Sequence, residues 1–154
     1  MGKKERKLVA NNKKARHDYF LEEIIEAGIA LTGTEIKSVR AGKVSIKESY
    51  AKVDGGELIL YGMHISPYKE GNRFNVDSLR PRKLLVHKSE IRKMIGATTQ
   101  QGMTIVPVQM YINEEGRAKV EIALARGKKQ YDKREAIAER DAKRSMERAV
   151  RKRG

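Results

Sequence analysis

The positive charge of this 154-residue chain is concentrated at its two ends. Residues 1–16 carry a net charge of +6 and residues 126–154 carry +7, whereas the residues between them carry only +1. This division predicts one folded domain that is close to neutral, with a cationic arm at each end. Clustered Lys and Arg favour a polyanionic partner, because phosphates release condensed counterions when they are neutralised. The alternative is a protein whose charged ends serve only solubility.

The composition excludes several classes of protein. The chain has no Cys, which excludes disulfides and thiolate metal sites and predicts a reducing cytoplasm. No apolar stretch of signal-peptide length follows the basic N-terminus, and the apolar runs are far too short to span a bilayer. The basic C-terminal segment has no Trp or Phe to enter lipid, so membrane-surface binding is disfavoured. We therefore predict a cytoplasmic protein without a membrane partner.

The body has the pattern of a mainly β domain. Alternating or continuous apolar runs predict about six strands, at residues 19–25, 49–53, 57–65, 84–86, 103–112 and 118–124. Asp54-Gly55-Gly56 predicts a hairpin turn, and Pro107 predicts an edge or a bulge. Helical spacing appears at residues 34–41 and again from Ser89. Short antiparallel strands at this spacing predict a small antiparallel β-barrel with two or three short helices.

The composition changes abruptly after Gly127. Residues 128–153 contain no Gly and no Pro, and attractive pairs such as Glu139 with Lys143 compete with like-charge pairs such as Arg140 with Arg144. The apolar stripe is thin, so this helix is marginal by itself. We predict a domain at 12–126, an arm without regular structure at 1–11, and a tail at 127–154. The tail is expected to be disordered when free and helical against a polyanion; the alternative is a C-terminal helix packed on the body.

Catalysis is poorly supported by the sequence. The three histidines lack zinc-binding spacing, and no glycine-rich phosphate loop is present. His17 with Glu22 or Glu26 could in principle serve a nuclease, but outward-facing carboxylates on a strand explain the same residues. We therefore predict no enzyme activity, no cofactor and no metal.

Two basic clusters favour RNA. Asn12 to His17 combine cations, an amide and an imidazole, which suit phosphates and base edges in irregular RNA. Arg80 to Leu85 place cations beside apolar side chains. Because aromatic residues are few, a structured RNA is a better ligand than a stacked single strand. Each cluster is also compatible with a solvated loop.

Four runs of sequence together resemble one protein family. They are residues 12–20, 26–43, 82–85 and 125–134, and they occur in this order over most of the body. In this they are similar to the small protein B family, the SsrA-binding proteins of bacterial ribosome rescue. The resemblance implies a barrel of the oligonucleotide-binding type with about three short helices.

The same resemblance implies a site on the body. The ligand would be the tRNA-like domain of transfer-messenger RNA, bound at its elbow. Asn12, Glu26 and Leu85 match family positions that are tied to this RNA. Further candidates in the same motifs are Lys13, Lys14, Arg16, His17, Lys37, Arg40, Lys83 and Leu84.

For the tail, the resemblance implies contact with the decoding centre and the empty messenger channel of the ribosome. The candidate residues are Gly127, Lys128, Lys129, Tyr131, Asp132, Lys133, Arg134, Arg140, Lys143 and Arg144. Some members carry histidine in place of Tyr131. Since tyrosine does not become cationic near neutral pH, we do not expect a proton-dependent role here.

The implied protein is a monomeric adaptor without catalytic activity. Its partners would be transfer-messenger RNA and the ribosome, with elongation factor Tu and alanyl-tRNA synthetase reached through the RNA. The alternative is a ribosomal or ribosome-assembly protein that binds ribosomal RNA through its basic arms.

Overall fold

The computed structural model describes residues 6–68 and 75–128. These residues form nine strands and three helices. The strands are β1 (Lys7–Asn11), β2 (Tyr19–Ile29), β3 (Val44–Ser45), β4 (Tyr50–Asp54), β5 (Glu57–Tyr61), β6 (His64–Ile65), β7 (Arg82–Leu85), β8 (Thr104–Ile112) and β9 (Ala118–Gly127). The helices are α1 (Lys13–Asp18), α2 (Gly33–Arg40) and α3 (Lys88–Gln100).

Six of the strands form a closed ring. The order is β8-β4-β5-β7-β2-β9, and β9 pairs again with β8, so that each of these strands has a neighbour on both sides. The pairings within the ring are all antiparallel. β1 adds to the outer side of β8, and β3 pairs with β6 in a separate two-stranded sheet. The prediction of a mainly β, antiparallel fold with three short helices is confirmed.

The N-terminal segment differs from the prediction. Residues 1–11 were expected to lack regular structure, but Lys7–Asn11 form β1 and pair with Gln109 to Ile112 of β8. A register shift between Leu8 and Ala10 bends the strand. The short apolar run Leu8-Val9-Ala10 is the sequence pattern of this strand. Because cations flank it on both sides, the whole segment was predicted to be an arm without regular structure.

Helix α1 and the two-residue strand β3 were not predicted from the sequence, and strand β2 is longer than predicted. Helix α1 has only six residues, which is too short for an apolar periodicity to be visible in the sequence. Its stability comes from its N-cap and from packing. Strand β2 continues through Gly28 to Ile29 instead of ending before the glycine. The predicted irregularity at Pro107 is present as a register shift between Pro107 and Gln109.

The ring encloses one large apolar core. Its fully buried members include Leu58, Leu60, Met94, Ile105 and Ile122. Helix α3 closes one side of this core by burying Met94 and Ala97. Helix α2 contributes Val39 and begins with a capping box, in which Thr32 and Glu35 satisfy each other's backbone N–H groups.

Beneath α2 lies a buried ion cluster. Glu35 is 3% exposed and Arg82 is 0% exposed. The Arg82 Nε donates to Glu35 Oε2 at 2.7 Å, and Arg80 donates to both carboxylate oxygens at 3.1 and 2.5 Å. The two terminal nitrogens of Arg82 donate to the carbonyls of Met63 and Ser78 at 2.5 and 3.1 Å. This cluster joins α2, β7 and the chain that precedes β7.

We expect Glu35→Gln to lower the free energy of unfolding by about 3–5 kcal/mol, because it leaves Arg82 charged and buried without its counterion. Urea denaturation followed by circular dichroism measures this loss. Glu57→Gln is the matched control, since Glu57 pairs with Lys83 on the surface at 3.1 Å. An exposed pair contributes at most about 1 kcal/mol. Equal losses in the two variants would contradict a stabilising role for the buried cluster.

The same cluster predicts a dependence on pH. Burial by itself raises the pKa of Glu35, but hydrogen bonds from Arg80, the Thr32 N–H and Arg82 outweigh it and hold the pKa below the ordinary 4.5. A carboxyl group with a lower pKa in the folded state stabilises the fold above the unfolded value, and this contribution is lost as the pH falls through the folded one. We expect the stability of the wild type to fall more steeply below pH 4.5 than that of Glu35→Gln.

Candidate nucleic-acid interface

Helix α1 is held in place by Asn12. This residue is 3% exposed, and its side-chain Oδ1 accepts from the Ala15 N–H at 3.1 Å. Its Nδ2 donates to the carbonyls of Ile46 and Pro107 at 3.2 and 2.9 Å. Its own backbone N–H donates to Val108 at 2.8 Å. Asn12 was predicted to contact RNA, but it is an interior residue that anchors α1 to the bulge in β8.

The other candidates on α1 point to solvent. Lys13, Lys14, Arg16 and His17 are all exposed. Lys14 forms an ion pair with Glu48 at 3.0 Å, and the hydrogen bond that Lys14 donates to this carboxylate raises the pKa of Lys14. The ring of His17 lies 2.9 Å from the carboxylate of Asp18. Together with the C-terminal end of β9, this helix forms what we call the α1 surface.

The α1 surface contains the root of the C-terminal tail. Tyr19 pairs in register with Gly127, the last residue of β9. The Lys128 ammonium donates to the carbonyl of Arg16 at 3.4 Å and lies 5.2 Å from the centre of the Phe20 ring. The cations of α1 and the first cation of the tail therefore share one end of the molecule.

Glu26 and Leu85 line the same groove, which lies toward the C-terminal end of β2. Gly28 pairs with Leu85 across the β2–β7 ladder. A Cβ atom at position 28 would lie 3.3 Å from Leu85 Cβ, so the glycine permits the close approach of this side chain. Leu85 is 52% exposed. It lines an open groove of about 660 Å³, whose residues are Glu23, Ile24, Ile25, Glu26, Gly28, Leu85, Val86, His87, Glu90 and Lys119.

The carboxylate of Glu26 has neighbours on three other segments of the chain. The Tyr111 hydroxyl, on β8, donates to Glu26 Oε2. Arg6 lies 3.8 Å from the same oxygen, and Glu121 of β9 pairs with Glu26 in register. The sequence motifs contain neither Arg6 nor Tyr111, because only strand pairing brings these residues to Glu26.

The remaining body candidates are scattered. Leu84, another residue predicted to contact RNA, is 1% exposed and packs in the core. Lys83 pairs with Glu57 on the outer face of the ring. Lys37 lies 5.3 Å from the centre of the Tyr68 ring, and Arg40 donates to the Gly116 carbonyl at 3.1 Å. These three cations are exposed.

Several tail candidates lie outside the described residues. They are Lys129, Tyr131, Asp132, Lys133, Arg134, Arg140, Lys143 and Arg144. Within the described part, Gly127 ends β9 and Lys128 follows it. The predicted tail therefore begins at the end of a strand of the ring.

The alternative set of catalytic residues is engaged in separate contacts. His17 contacts Asp18, Glu22 accepts from Arg126 at 2.7 Å, and Glu26 accepts from Tyr111. Across residues 6–68 and 75–128, no group of three or more His, Asp or Glu side chains could hold a metal ion. In the same ranges no helix has the length and apolarity of a membrane span.

Comparison with known proteins gives consistent matches. The family model described as SmpB protein matches residues 9–152. The SsrA-binding protein of Acetivibrio thermocellus is 59% identical over 150 residues, covering 97% of each chain. That of Ruminiclostridium cellulolyticum is 63% identical over 144 residues, covering 94% of this chain and 93% of its own. A solved structure described as "tmRNA-SmpB: a journey to the center of the bacterial ribosome" is 53% identical, with a TM-score of 0.64 over 77% of this chain and 82% of that one.

The interior position of Asn12 generates a prediction about stability. Asn12→Ala leaves two carbonyls and one N–H without their partner, and we expect it to lower the free energy of unfolding by roughly 1–3 kcal/mol. Asn11→Ala is the matched control, because Asn11 is exposed and its replacement should change stability by no more than about 0.5 kcal/mol. Thermal and urea denaturation measure both. An unchanged stability of Asn12→Ala would show that the amide does not anchor α1.

Proposed function

This chain belongs to the SmpB family, and on that premise we propose that it is an adaptor without catalytic activity that serves ribosome rescue. It binds the tRNA-like domain of transfer-messenger RNA and is required to deliver this RNA to stalled ribosomes. Relatives 59% and 63% identical carry the description SsrA-binding protein, and a related solved structure concerns transfer-messenger RNA and the ribosome.

The observation that carries this proposal is the groove that Glu26 and Leu85 share. Two residues 59 positions apart in sequence, each matching a family position tied to the RNA, lie on the same groove because β2 pairs with β7. Leu85 and Ile24 are 52% and 51% exposed and line the same groove, so the groove presents two exposed apolar side chains together. Leu85 can pack against an unstacked base or ribose, while polar neighbours fix the orientation of the RNA.

The role that we propose for the tail differs from that of the groove. We propose that residues 127–154 enter the decoding centre and the empty messenger channel of the small subunit and fold there as a helix. The net charge of this segment suits a channel whose walls are ribosomal RNA. The α1 surface adds Arg16 and His17 beside the root of the tail. We therefore propose that these cations face the ribosome or the RNA backbone at that end.

The partners follow from these assignments. They are transfer-messenger RNA, the ribosome, and, through the RNA, elongation factor Tu and alanyl-tRNA synthetase. We propose that the protein acts as a monomer in the cytoplasm. A general ribosomal RNA-binding or assembly protein is the alternative. Such a protein would show no preference for the tRNA-like domain over ordinary tRNA, and its affinity for both would fall together as salt rises.

The groove predicts a specific effect of Leu85→Asp. We expect at least about a tenfold loss of affinity for the tRNA-like domain, equivalent to about 1.4 kcal/mol, because a charged side chain replaces an apolar contact beside phosphates. Leu79→Asp is the matched control, since Leu79 is 54% exposed and does not line the groove. Filter binding across a salt series, with ordinary tRNA as competitor, measures the affinities. Equal losses in both variants would remove the groove from the binding surface.

The separation of body and tail predicts the behaviour of a truncated chain. Deleting residues 128–154 should leave affinity for the isolated tRNA-like domain largely intact, with the same dependence on salt, and should abolish peptide tagging on stalled ribosomes. Binding assays and an in vitro tagging assay with a message that lacks a stop codon measure the two effects. Loss of most RNA affinity on truncation would refute the separation.

A further inference from the structure

Two carboxylates face each other beside the groove. Glu26 on β2 and Glu121 on β9 are directly opposite in the antiparallel ladder. Like charges at such positions destabilise a sheet unless a cation lies between them. Both side chains are partly accessible, at 47% and 19% exposed. By themselves these carboxylates would repel the phosphates of an approaching RNA.

Arg6 supplies the cation. β1 pairs Lys7 with Ile112 and Leu8 with Tyr111, which places Arg6, the residue before this strand, beside the end of β8. The guanidinium carbon of Arg6 lies 4.5 Å from the centre of the Tyr111 ring. One terminal nitrogen lies 3.5 Å from the Glu121 carboxylate, and the other lies 3.8 Å from that of Glu26. The Tyr111 ring thus packs against the face of the guanidinium, and the carboxylates of Glu26 and Glu121 lie beside its terminal nitrogens.

Tyr111 fixes the orientation of Glu26. Tyr111 is 2% exposed, and its hydroxyl donates to Glu26 Oε2. The Tyr111 hydroxyl is protonated at neutral pH, and burial together with the hydrogen bond to Glu26 raises its pKa further from that range. One oxygen of Glu26 therefore points to the Tyr111 hydroxyl and lies nearest to Arg6.

The guanidinium itself remains open to solvent. The Arg6 side chain is 56% exposed. An arginine carries five N–H donors in a planar fork, more than two carboxylate contacts at 3.5 and 3.8 Å can use. A planar cation that its neighbours hold in one place loses little freedom on binding a phosphate with two parallel hydrogen bonds.

We propose that Arg6 binds an RNA phosphate at the rim of the groove, and that Glu26 acts through Arg6 as a positioning residue. This inference rests on the proposed binding of the tRNA-like domain and adds a contact to it. It explains why an acidic residue belongs to an RNA-binding surface. The competing explanation is that Glu26 accepts a hydrogen bond directly from a base amino group.

The two explanations predict different effects of Glu26→Gln on RNA affinity when Arg6 is absent. If Glu26 positions Arg6, Glu26→Gln weakens binding while Arg6 is present. In the Arg6→Ala background, the same change removes a negative charge that no longer has a function, so binding stays equal or becomes tighter. If Glu26 contacts a base, Glu26→Gln weakens binding in both backgrounds.

The experiment is a double-mutant cycle on the full chain, with the transcribed tRNA-like domain of transfer-messenger RNA as the probe. We expect Arg6→Ala to cost about tenfold in affinity and to reduce the slope of log affinity against log salt by about 1. Glu26→Gln should reduce affinity in the wild-type background only. Arg6→Lys should restore part of the affinity, because it keeps the charge but not the fork.

Matched variants separate positioning from folding. Glu22→Gln removes an exposed carboxylate of the same strand that pairs with Arg126, and Arg92→Ala removes an exposed cation on α3. Both should leave the affinity close to that of the wild type, and urea denaturation should show that every variant is folded under the conditions of the binding assay. Additive losses for Arg6 and Glu26, or an unchanged salt slope in Arg6→Ala, would overturn the inference while the proposed function stands. If the wild type shows no preference for the tRNA-like domain over tRNA, the proposed function and the inference both fail.

Discussion

The ladder between β2 and β9 is the constraint on which the rest of the molecule depends. It runs from Tyr19 opposite Gly127 to Gly28 opposite Lys119, with a register shift between Leu21 and Glu23. At about 3.4 Å per residue, its two ends are separated by roughly 30 Å. One end holds α1 and the root of the tail, and the groove runs along β2 from Glu23 to Gly28 toward the other end. A single pairing register therefore separates the two regions for which we propose different RNA contacts.

Buried polar residues hold the elements that present these regions. Asn12 ties α1 to the bulge of β8, and Glu35 with Arg82 ties α2 to β7, the strand that carries Leu85. Each group has its hydrogen bonds satisfied inside the protein, as a buried polar group must. Motif residues of this kind can be essential for binding without touching the ligand, because they set the position of exposed neighbours.

The proposed role of Glu26 depends on strand β1, which the sequence did not predict. An acidic residue on an RNA-binding surface can accept a hydrogen bond from a base amino group or orient an arginine. The pairing of β1 with β8 brings Arg6 to the carboxylate and favours the second explanation. The strand also places Arg6 beside Glu26, one of the residues that line the groove, whereas composition alone predicts only a polyanionic partner for the basic N-terminus.

The amino-acid sequence by itself determined the mainly β fold, helices α2 and α3, the basic ends and the family to which the chain belongs. These properties follow from local periodicity, composition and the order of short motifs, which are all visible along one dimension. Only the tertiary structure decided that Asn12 and Leu84 are interior, that Leu85 is exposed beside Glu26, and that Arg6 and Tyr111 surround this carboxylate. Burial and partnership depend on strand register between residues far apart in sequence, and a shift of one residue would turn each side chain to the opposite face.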